Sequence, residues 1–282
     1  MKIIHSPQGL HQMLVALKRK NKSIGFVPTM GALHAGHLSL IQAARKENSI
    51  LVVSIFVNPT QFNPREDLHS YPRLLKHDTA LCRSSGVDFI FLPSVADMYP
   101  EGFTTFVTVE GLSGVLCGRS RPHHFRGVAT IVTKLFNIVC PDIAYFGQKD
   151  AQQVAIIKRM VKDLNIPVKL KVLSIVRGDG GLALSSRNIY LNDSEKKDAL
   201  VLNQALSLAK RAVKKGQKNA QKIITLVKNF IQQKNSAVID YAAVVDPEDL
   251  TPLKTISQDC LLALAVRINK KRLIDNMVLK SK

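Results

Sequence analysis

Apolar residues in the first two thirds of the chain recur at two alternating spacings. Short continuous apolar runs are typical of strands buried on both faces of a sheet, and they occur at residues 24–27, 50–57, 88–92, 104–109, 143–146 and 168–176. Helical spacing separates most of these runs, at residues 6–20, 34–44, 74–85, 127–139 and 151–164. The alternation predicts an α/β fold with a Rossmann-like, doubly wound parallel sheet.

The pattern changes at about residue 192, where long lysine-rich amphipathic segments replace the alternation. Helices are predicted at residues 194–215 and 220–233, and strands at residues 239–245, 260–268 and 272–279. Helices followed by a run of strands indicate a smaller C-terminal α+β domain. We therefore predict two domains, residues 1–176 and residues 177–282.

The run at residues 24–27 leads into a turn with two histidines, within GFVPTMGALHAGHLSL. Pro28 is expected to end the ladder of the strand because it has no N–H group to donate. The helix that follows offers unpaired N–H groups and the positive end of its dipole, which together favour an anion. His34 and His37 face the same side, and Gly36 lets a phosphate approach the backbone. In isolation, the same string is often incidental or half of a metal site.

Two further stretches carry groups that suit phosphates. Gly147-Gln148-Lys149-Asp150 lies at a strand-to-helix junction, where a lysine is unfavourable unless an anion is bound; the alternative is a solvated side chain. The string RGDGGLALSSRN at residues 177–188 contains three glycines and then Ser185, Ser186 and Arg187. Its hydroxyls and guanidinium suit the β and γ phosphates of ATP. Its glycines are typical of a mobile lid or of an interdomain linker.

Polar residues also follow the apolar run at residues 50–57, where Asn58 and Gln61 reach the carboxyl end of a predicted strand. Open α/β sheets bind their ligands at this edge. Ordinary turn chemistry is the alternative explanation for both residues.

Composition narrows the class of protein. The 282 residues are 46% hydrophobic, and no run approaches the roughly 18 apolar residues of a membrane helix, so a cytoplasmic protein without membrane association is expected. The four cysteines show no C-x-x-C pair and are expected to be reduced core thiols. A net charge of +19 is typical of nucleic-acid-binding proteins. However, no aromatic residues for base stacking are interleaved with the lysines at residues 196–234, and the chain has no tryptophan. We therefore expect no nucleic-acid partner.

Five ordered motifs resemble those of the pantoate–β-alanine ligase family, within the wider H-x-G-H nucleotidyltransferase group. They are PTMGALHAGH, VSIFVNPTQF, EDLHSYPR, RPHHFRGVATIVTKLFNIVCPDIAYFGQKDAQQ and LSSRN. The resemblance covers nearly all of residues 24–188, and the C-terminal part is similar mainly in layout. It implies an ATP-dependent ligase that condenses (R)-pantoate with β-alanine through a pantoyl adenylate, releasing AMP and pyrophosphate. It also implies Mg²⁺, a homodimer, an ATP- and pantoate-binding first domain and a C-terminal lid domain.

The same resemblance implies roles for individual residues. ATP would contact Met30, Gly31, Ala32, Leu33, His34, Ala35, Gly36, His37, Gly147, Gln148, Lys149, Asp150, Val176, Leu184, Ser185, Ser186 and Arg187. Gln61 and Gln153 would bind pantoate, and Gln61 would also bind β-alanine. His34, His37 and Lys149 would be catalytic, holding negative charge on phosphate oxygens. Magnesium would be held chiefly by phosphates and water, with Asp78 as an outer ligand.

Three positions depart from the family pattern: Leu184 replaces a usual methionine, His123 a usual glycine, and Ala151 a common aromatic residue. A histidine would be strained where that glycine has a positive φ, so His123 puts the shape of the loop at residues 121–127 in doubt. Two other functions stay open. Another H-x-G-H nucleotidyltransferase would need more cationic residues where Gln61 and Gln153 stand, and a basic nucleic-acid-binding protein would show steep salt dependence.

Overall fold

The computed structural model describes residues 1–64 and 66–281; Arg65, in the predicted loop after Gln61, and Lys282 lie outside them. The chain divides into two compact units. The first unit comprises Met1–Gly114, Gly118–Gln148 and Ile156–Ser174. The second unit comprises Val115–Cys117, Lys149–Ala155 and Ile175–Lys282. No helix in the described part of the chain is both long and apolar enough to cross a membrane.

The first unit is built on a six-stranded sheet that is parallel throughout, which confirms the predicted fold class. Its strands are β1 (Lys2–Ile4), β2 (Ile24–Thr29), β3 (Ile50–Ile55), β4 (Phe89–Phe91), β5 (Ile143–Gly147) and β6 (Lys169–Leu173), in the order β1-β4-β3-β2-β5-β6. The helices along this part of the chain are α1 (Pro7–Lys18), α2 (Ala35–Glu47), α3 (Leu75–Ser84), α4 (Val95–Met98), α5 (Cys117–Ser120), α6 (His124–Val139) and α7 (Ala151–Asp163). Apolar side chains of α2 and α3 pack on β2, β3, β4 and β5 to form a buried core.

The second unit contains an antiparallel sheet of three strands, in the order β7-β8-β9. The strands are β7 (Ala237–Val245), β8 (Cys260–Ile268) and β9 (Lys271–Leu279), and two helices precede them, α8 (Asp193–Lys214) and α9 (Ala220–Ile231). Apolar stripes of α8 and α9 cover one face of the sheet, and the lysines between these stripes are left to solvent. The predicted smaller α+β part is therefore present.

Two local predictions are wrong. Pro28 does not end β2, which stays paired with β3 as far as Thr29. The ring nitrogen of Pro28 faces β5 instead. Because the β2–β5 pairing ends at Phe26, no N–H group is needed at Pro28. Residues 104–109 form no strand; the N–H of Val107 instead donates to Thr130 Oγ1 at 2.9 Å. The ring of Phe106 lies 3.8 Å from the Arg126 guanidinium, so the extended segment packs on α6 and not on a sheet edge. The short strand β1 has no counterpart among the predicted strands.

Candidate functional site

The centre of the parallel sheet is a topological switch point. The chain proceeds from β2 to β3 and β4 on one side, whereas β5 and β6 extend the other side. Open α/β sheets bind ligands at the carboxyl ends of the strands beside such a reversal. There, β2 leads into the turn at residues 30–34, and β5 ends at Gly147 before Gln148. The first unit thus brings two sequence-distant groups of predicted ATP contacts to one edge of the sheet.

The turn after β2 has an unusual backbone that its neighbours hold in place. Gly31 and Ala32 are both left-handed, with φ of 83° and 48°. For alanine this conformation costs roughly 1 kcal/mol. Thr29 Oγ1 accepts the N–H of Gly31 at 3.1 Å and donates to the carbonyl of Ser54 at 2.7 Å. The turn is therefore anchored to the adjacent strand β3.

Asp78 anchors the same turn from α3. Its side chain is 1% exposed, and its two carboxylate oxygens accept the N–H groups of Ala32 and Leu33, each at 2.8 Å. Charge-assisted hydrogen bonds of this kind are the strong ones, and they account for a carboxylate at a buried position. The predicted role of Asp78 as an outer magnesium ligand stays a prediction. Among the described residues, no group of three His, Cys, Asp or Glu side chains could hold a metal ion.

His34 and His37 cap the first turn of α2. The Nδ1 of His34 accepts the N–H of Gly36 at 3.1 Å, and the Nδ1 of His37 accepts the N–H of His34 at 3.3 Å. Because Nδ1 is the acceptor in each neutral ring, the hydrogen resides on Nε2, which makes Nε2 a donor. The ring centroids lie 4.1 Å apart, as the spacing predicts. A Cβ on Gly36 would lie 2.8 Å from His34 Cε1, so a larger residue at this position would displace the capping histidine ring.

Gln61 lies in the same unit, beside the turn, and is 8% exposed. Its Oε1 accepts Asn58 Nδ2 at 3.0 Å, and its Nε2 contacts Met30 Sδ at 3.0 Å. Tyr99 donates its hydroxyl to Asn58 Oδ1 at 2.7 Å, and burial raises the pKa of Tyr99, which keeps that hydroxyl protonated. The orientation of the Gln61 amide is consequently fixed, with its N–H₂ group on the side of Met30.

The backbone of Gln61 is fixed separately. His124 Nδ1 lies 2.7 Å from the Gln61 carbonyl, and Arg121 forms a bidentate ion pair with Glu66 at 2.7 and 2.6 Å. Burial alone would raise the pKa of Glu66, but the hydrogen bond and charge of Arg121 outweigh it and hold the pKa below its usual value. His123, the residue just before α6, has a φ of 67°, so the strain expected at this histidine is present.

The second unit carries the remaining predicted site residues. Within it, the segment Val176 to Leu184 closes on itself, since Leu184 N–H donates to the Val176 carbonyl at 3.0 Å and Gly178 N–H to the Leu182 carbonyl at 2.9 Å. Ser185 follows directly and accepts the N–H of Arg187 on its Oγ at 3.3 Å. The glycines allow the backbone to turn back on itself within this segment. Mobility of the segment stays a prediction.

Lys149 and Gln153 lie in the second unit, around the start of α7. The Lys149 ammonium is 3.6 Å from the Asp150 carboxylate, which offsets the unfavourable helix dipole. The neighbouring glutamines differ in their surroundings. Gln152 is buried, accepting the N–H of Cys117 at 3.0 Å and donating to the Val115 carbonyl at 2.7 Å, whereas Gln153 is half-buried. Gln153 is therefore the more exposed of the two, and its binding of pantoate stays a prediction.

The structure also shows structural roles that the sequence did not indicate. Asn58 was noted only as a polar strand end, although its amide fixes Gln61. Asp78 was expected to act on a metal, although it anchors the turn. Asp275 and Asn276 were not noted, although a carboxylate and an amide flanked by apolar residues in a strand are a signal of a buried polar network.

Sheet, switch point and capped turn together define a Rossmann-like α/β protein with an H-x-G-H turn at the carboxyl edge of its parallel sheet. A family model described as Pantoate-beta-alanine ligase matches residues 2–278, so the chain belongs to the pantoate–β-alanine ligase family.

Similar proteins agree with this assignment. The pantothenate synthetase of Acetivibrio thermocellus is 51% identical over 280 residues, covering 99% of this chain and 100% of the relative. The crystal structure of pantothenate synthetase from Thermus thermophilus superposes with a TM-score of 0.94 at 43% identity, over 99% of this chain and 100% of that chain. The ligase of Francisella tularensis, solved in complex with β-γ ATP and β-alanine, gives a TM-score of 0.81 at 37% identity, over 99% and 97% of the two chains.

Proposed function

We propose that this chain is an ATP-dependent, AMP-forming ligase that condenses (R)-pantoate with β-alanine to give pantothenate. Membership of the ligase family supports this reaction, as does the relative from Francisella tularensis that was crystallised with a nucleotide and β-alanine. The observation that carries the proposal is the Gln61 amide, which Asn58 orients beside Met30 of the H-x-G-H turn. An acid is thereby offered an uncharged donor next to the predicted ATP contacts.

The uncharged donor matters for the chemistry. In the first step, a pantoate carboxylate oxygen attacks the α phosphorus of ATP and pyrophosphate leaves, giving pantoyl adenylate. A cationic partner would lower the nucleophilicity of the carboxylate, whereas the amides of Gln61 and Gln153 position it by hydrogen bonds alone. In the second step, the β-alanine amine, positioned near Gln61, attacks the acyl carbon, and AMP leaves with the bridging oxygen.

The remaining residues act on negative charge. His34 and His37, each with a hydrogen on Nε2, and Lys149 donate to the phosphate oxygens as charge develops in the transition state. Ser185, Ser186 and Arg187 receive the leaving pyrophosphate. The other proposed ATP contacts are Met30, Gly31, Ala32, Leu33, Ala35, Gly36, Gly147, Gln148, Asp150, Val176 and Leu184, with Asp150 binding ribose hydroxyls.

Magnesium is proposed to enter with the nucleotide. The described residues present no cluster of three ligating side chains, and both oxygens of Asp78 already accept backbone N–H groups. These residues do not fit a metal site in which the protein supplies most of the ligands. They fit an ion that is coordinated chiefly by phosphates and water. Bound in that way, Mg²⁺ would neutralise charge on the phosphates.

Three further properties are proposed on the resemblance alone: a homodimer, a cytoplasmic location and a lid role for residues 177–282. Sedimentation equilibrium over a range of protein concentrations tests the dimer. Hydrogen exchange with and without ATP tests the lid, because a closing segment should gain protection only when the nucleotide binds.

The adenylate itself is tested by isotope transfer. Enzyme given ATP, Mg²⁺ and pantoate without β-alanine should release pyrophosphate, and omission of pantoate should abolish that release. When the pantoate carboxylate carries heavy oxygen, subsequent addition of β-alanine should yield AMP with one labelled atom. Unlabelled AMP, or ADP in its place, would falsify the proposed mechanism.

A further inference from the structure

Strand β9 carries two adjacent buried polar residues, with apolar residues on either side of them. Asp275 is 3% exposed and Asn276 is 4% exposed, within the run Lys271–Leu279. Burial of an ionised carboxylate is costly unless it is paired and hydrogen-bonded. Both residues must therefore have partners, and those partners lie far away along the chain.

Asp275 holds the segment that precedes the Ser-Ser-Arg sequence. Its oxygens accept Arg177 Nη1 at 2.7 Å and Arg177 Nη2 at 2.9 Å, and Oδ1 also accepts the N–H of Asn276 at 2.8 Å. The same Nη1 of Arg177 donates to the Gly181 carbonyl at 3.0 Å. The Arg177 guanidinium thus links β9 to Gly181, within the segment from Val176 to Leu184 that closes on itself. Ser185 directly follows that segment.

Asn276 holds the other phosphate-facing segment of the second unit. Its Nδ2 donates to the main-chain carbonyl of Lys149 at 3.0 Å. Successive residues of a strand point to opposite faces of the sheet, and the β8–β9 pairing is in regular register at both positions. Lys149 and the segment of Arg177 are consequently tied to opposite faces of one strand, through residues that are adjacent in the chain.

We propose that Asp275 and Asn276 are positioning residues that fix Lys149 and the Ser185–Arg187 segment relative to each other within the second unit. This inference rests on the proposed function, which assigns phosphate contacts to both segments. Neither residue is proposed to touch ATP. Each acts through the backbone or the guanidinium that it binds, so its loss should misplace donors and leave the donors themselves intact.

The test compares Asn276→Ala and Asp275→Asn with a matched control, Asp240→Asn. Asp240 lies in the same sheet, and its Oδ2 accepts two hydrogen bonds from Arg272, at 2.9 and 2.8 Å, which makes it an arginine-paired carboxylate at a more exposed position than Asp275. Pyrophosphate release in a single turnover is measured at varied ATP and at varied pantoate. Melting temperatures, with and without ATP, report whether each full-length variant is folded.

We expect Asn276→Ala to lower pyrophosphate release by roughly three- to tenfold, or to raise the ATP requirement by that factor, as loss of one hydrogen bond would. Asp275→Asn should have a larger effect, with the pantoate requirement unchanged in both. The control should match the parent enzyme. If Asp275→Asn does not fold, Arg177→Lys, which keeps the charge but loses the bidentate geometry, replaces it.

Two results would overturn the inference. One is folded Asn276→Ala and Asp275→Asn enzyme with parental ATP dependence and rate. The other is an activity loss that equals the loss of folded protein, or that the Asp240→Asn control reproduces. Failure of the proposed function looks different, since the parent enzyme would then release no pyrophosphate. In that event, the inference is tested by the rise in melting temperature that ATP causes. It fails if ATP raises the melting temperature of the variants as much as that of the parent.

Discussion

Replacement of Asp78 by asparagine probes the anchor of the H-x-G-H turn without changing the size of the side chain. Both oxygens of Asp78 accept backbone N–H groups of the turn at 2.8 Å. An asparagine keeps one acceptor and presents an N–H₂ group to the other donor. One N–H of Ala32 or Leu33 then loses its carboxylate acceptor at a buried position.

The magnitude follows from that lost bond. A hydrogen bond to a charged acceptor contributes about 1.5–3 kcal/mol, and a buried unpaired donor costs a similar amount. The turn also holds Ala32 in a left-handed conformation, so it should relax once the anchor weakens. If ATP needs the anchored turn, an energy of about 2–3 kcal/mol corresponds to affinity roughly 30- to 150-fold weaker.

Isothermal titration with ATP at several fixed magnesium concentrations measures the effect. Asp97→Asn is the control, because Asp97 also accepts a backbone N–H, that of Ser94 at 2.8 Å, but does so in an exposed cap of α4. ATP affinity within threefold of the parent would refute the anchoring role. A defect that additional magnesium fully restores would instead support the magnesium-ligand prediction for Asp78.

Three more predictions address the site and the stability of the fold. His37→Ala should slow pyrophosphate release by about 10²- to 10³-fold in a protein that still folds, since one preorganised donor to the transition state contributes roughly 3–4 kcal/mol; a rate within threefold of the parent would exclude that role. Gln153→Ala should raise the pantoate requirement by a factor that corresponds to about 1–3 kcal/mol and leave the ATP requirement nearly constant; titration of each substrate with the other saturating distinguishes this from equal weakening of both. The pKa of Glu195 is lowered from 4.5 to about 2 by hydrogen bonds from Asn269 and then Lys271, so its ionised form stabilises the fold above pH 4.5, and that contribution is lost as the pH falls towards 2. Glu195→Gln should therefore make the free energy of unfolding depend less on pH between pH 2 and pH 4.5. Urea titrations at several pH values would contradict this if the free energy of unfolding changed with pH as steeply as in the parent.

Local sequence determined most of the elements. The predicted helices at residues 6–20 and 74–85 are observed as Pro7–Lys18 and Leu75–Ser84, and β8 has the predicted bounds. Apolar periodicity and helix caps depend on residues within about four positions of one another, so they can be read without knowledge of the fold. For the same reason, the placement of His34 and His37 at the start of α2 followed from spacing alone.

Longer-range hydrogen bonds decided the rest. Whether Pro28 ends a strand depends on where β5 stops pairing, and whether residues 104–109 form a strand depends on α6. The strain at His123 was a conditional expectation that only the observed backbone could resolve.

The supports of the candidate site show the same limit most clearly. Asp78 binds a turn 45 and 46 residues earlier, and Asn276 binds a carbonyl 127 residues earlier. A buried polar side chain needs a partner, but nothing in its periodicity identifies which one, because the partner is chosen by the packing of distant elements. The sequence by itself therefore predicted which residues would carry the chemistry, and only the tertiary structure decided which residues hold them in place.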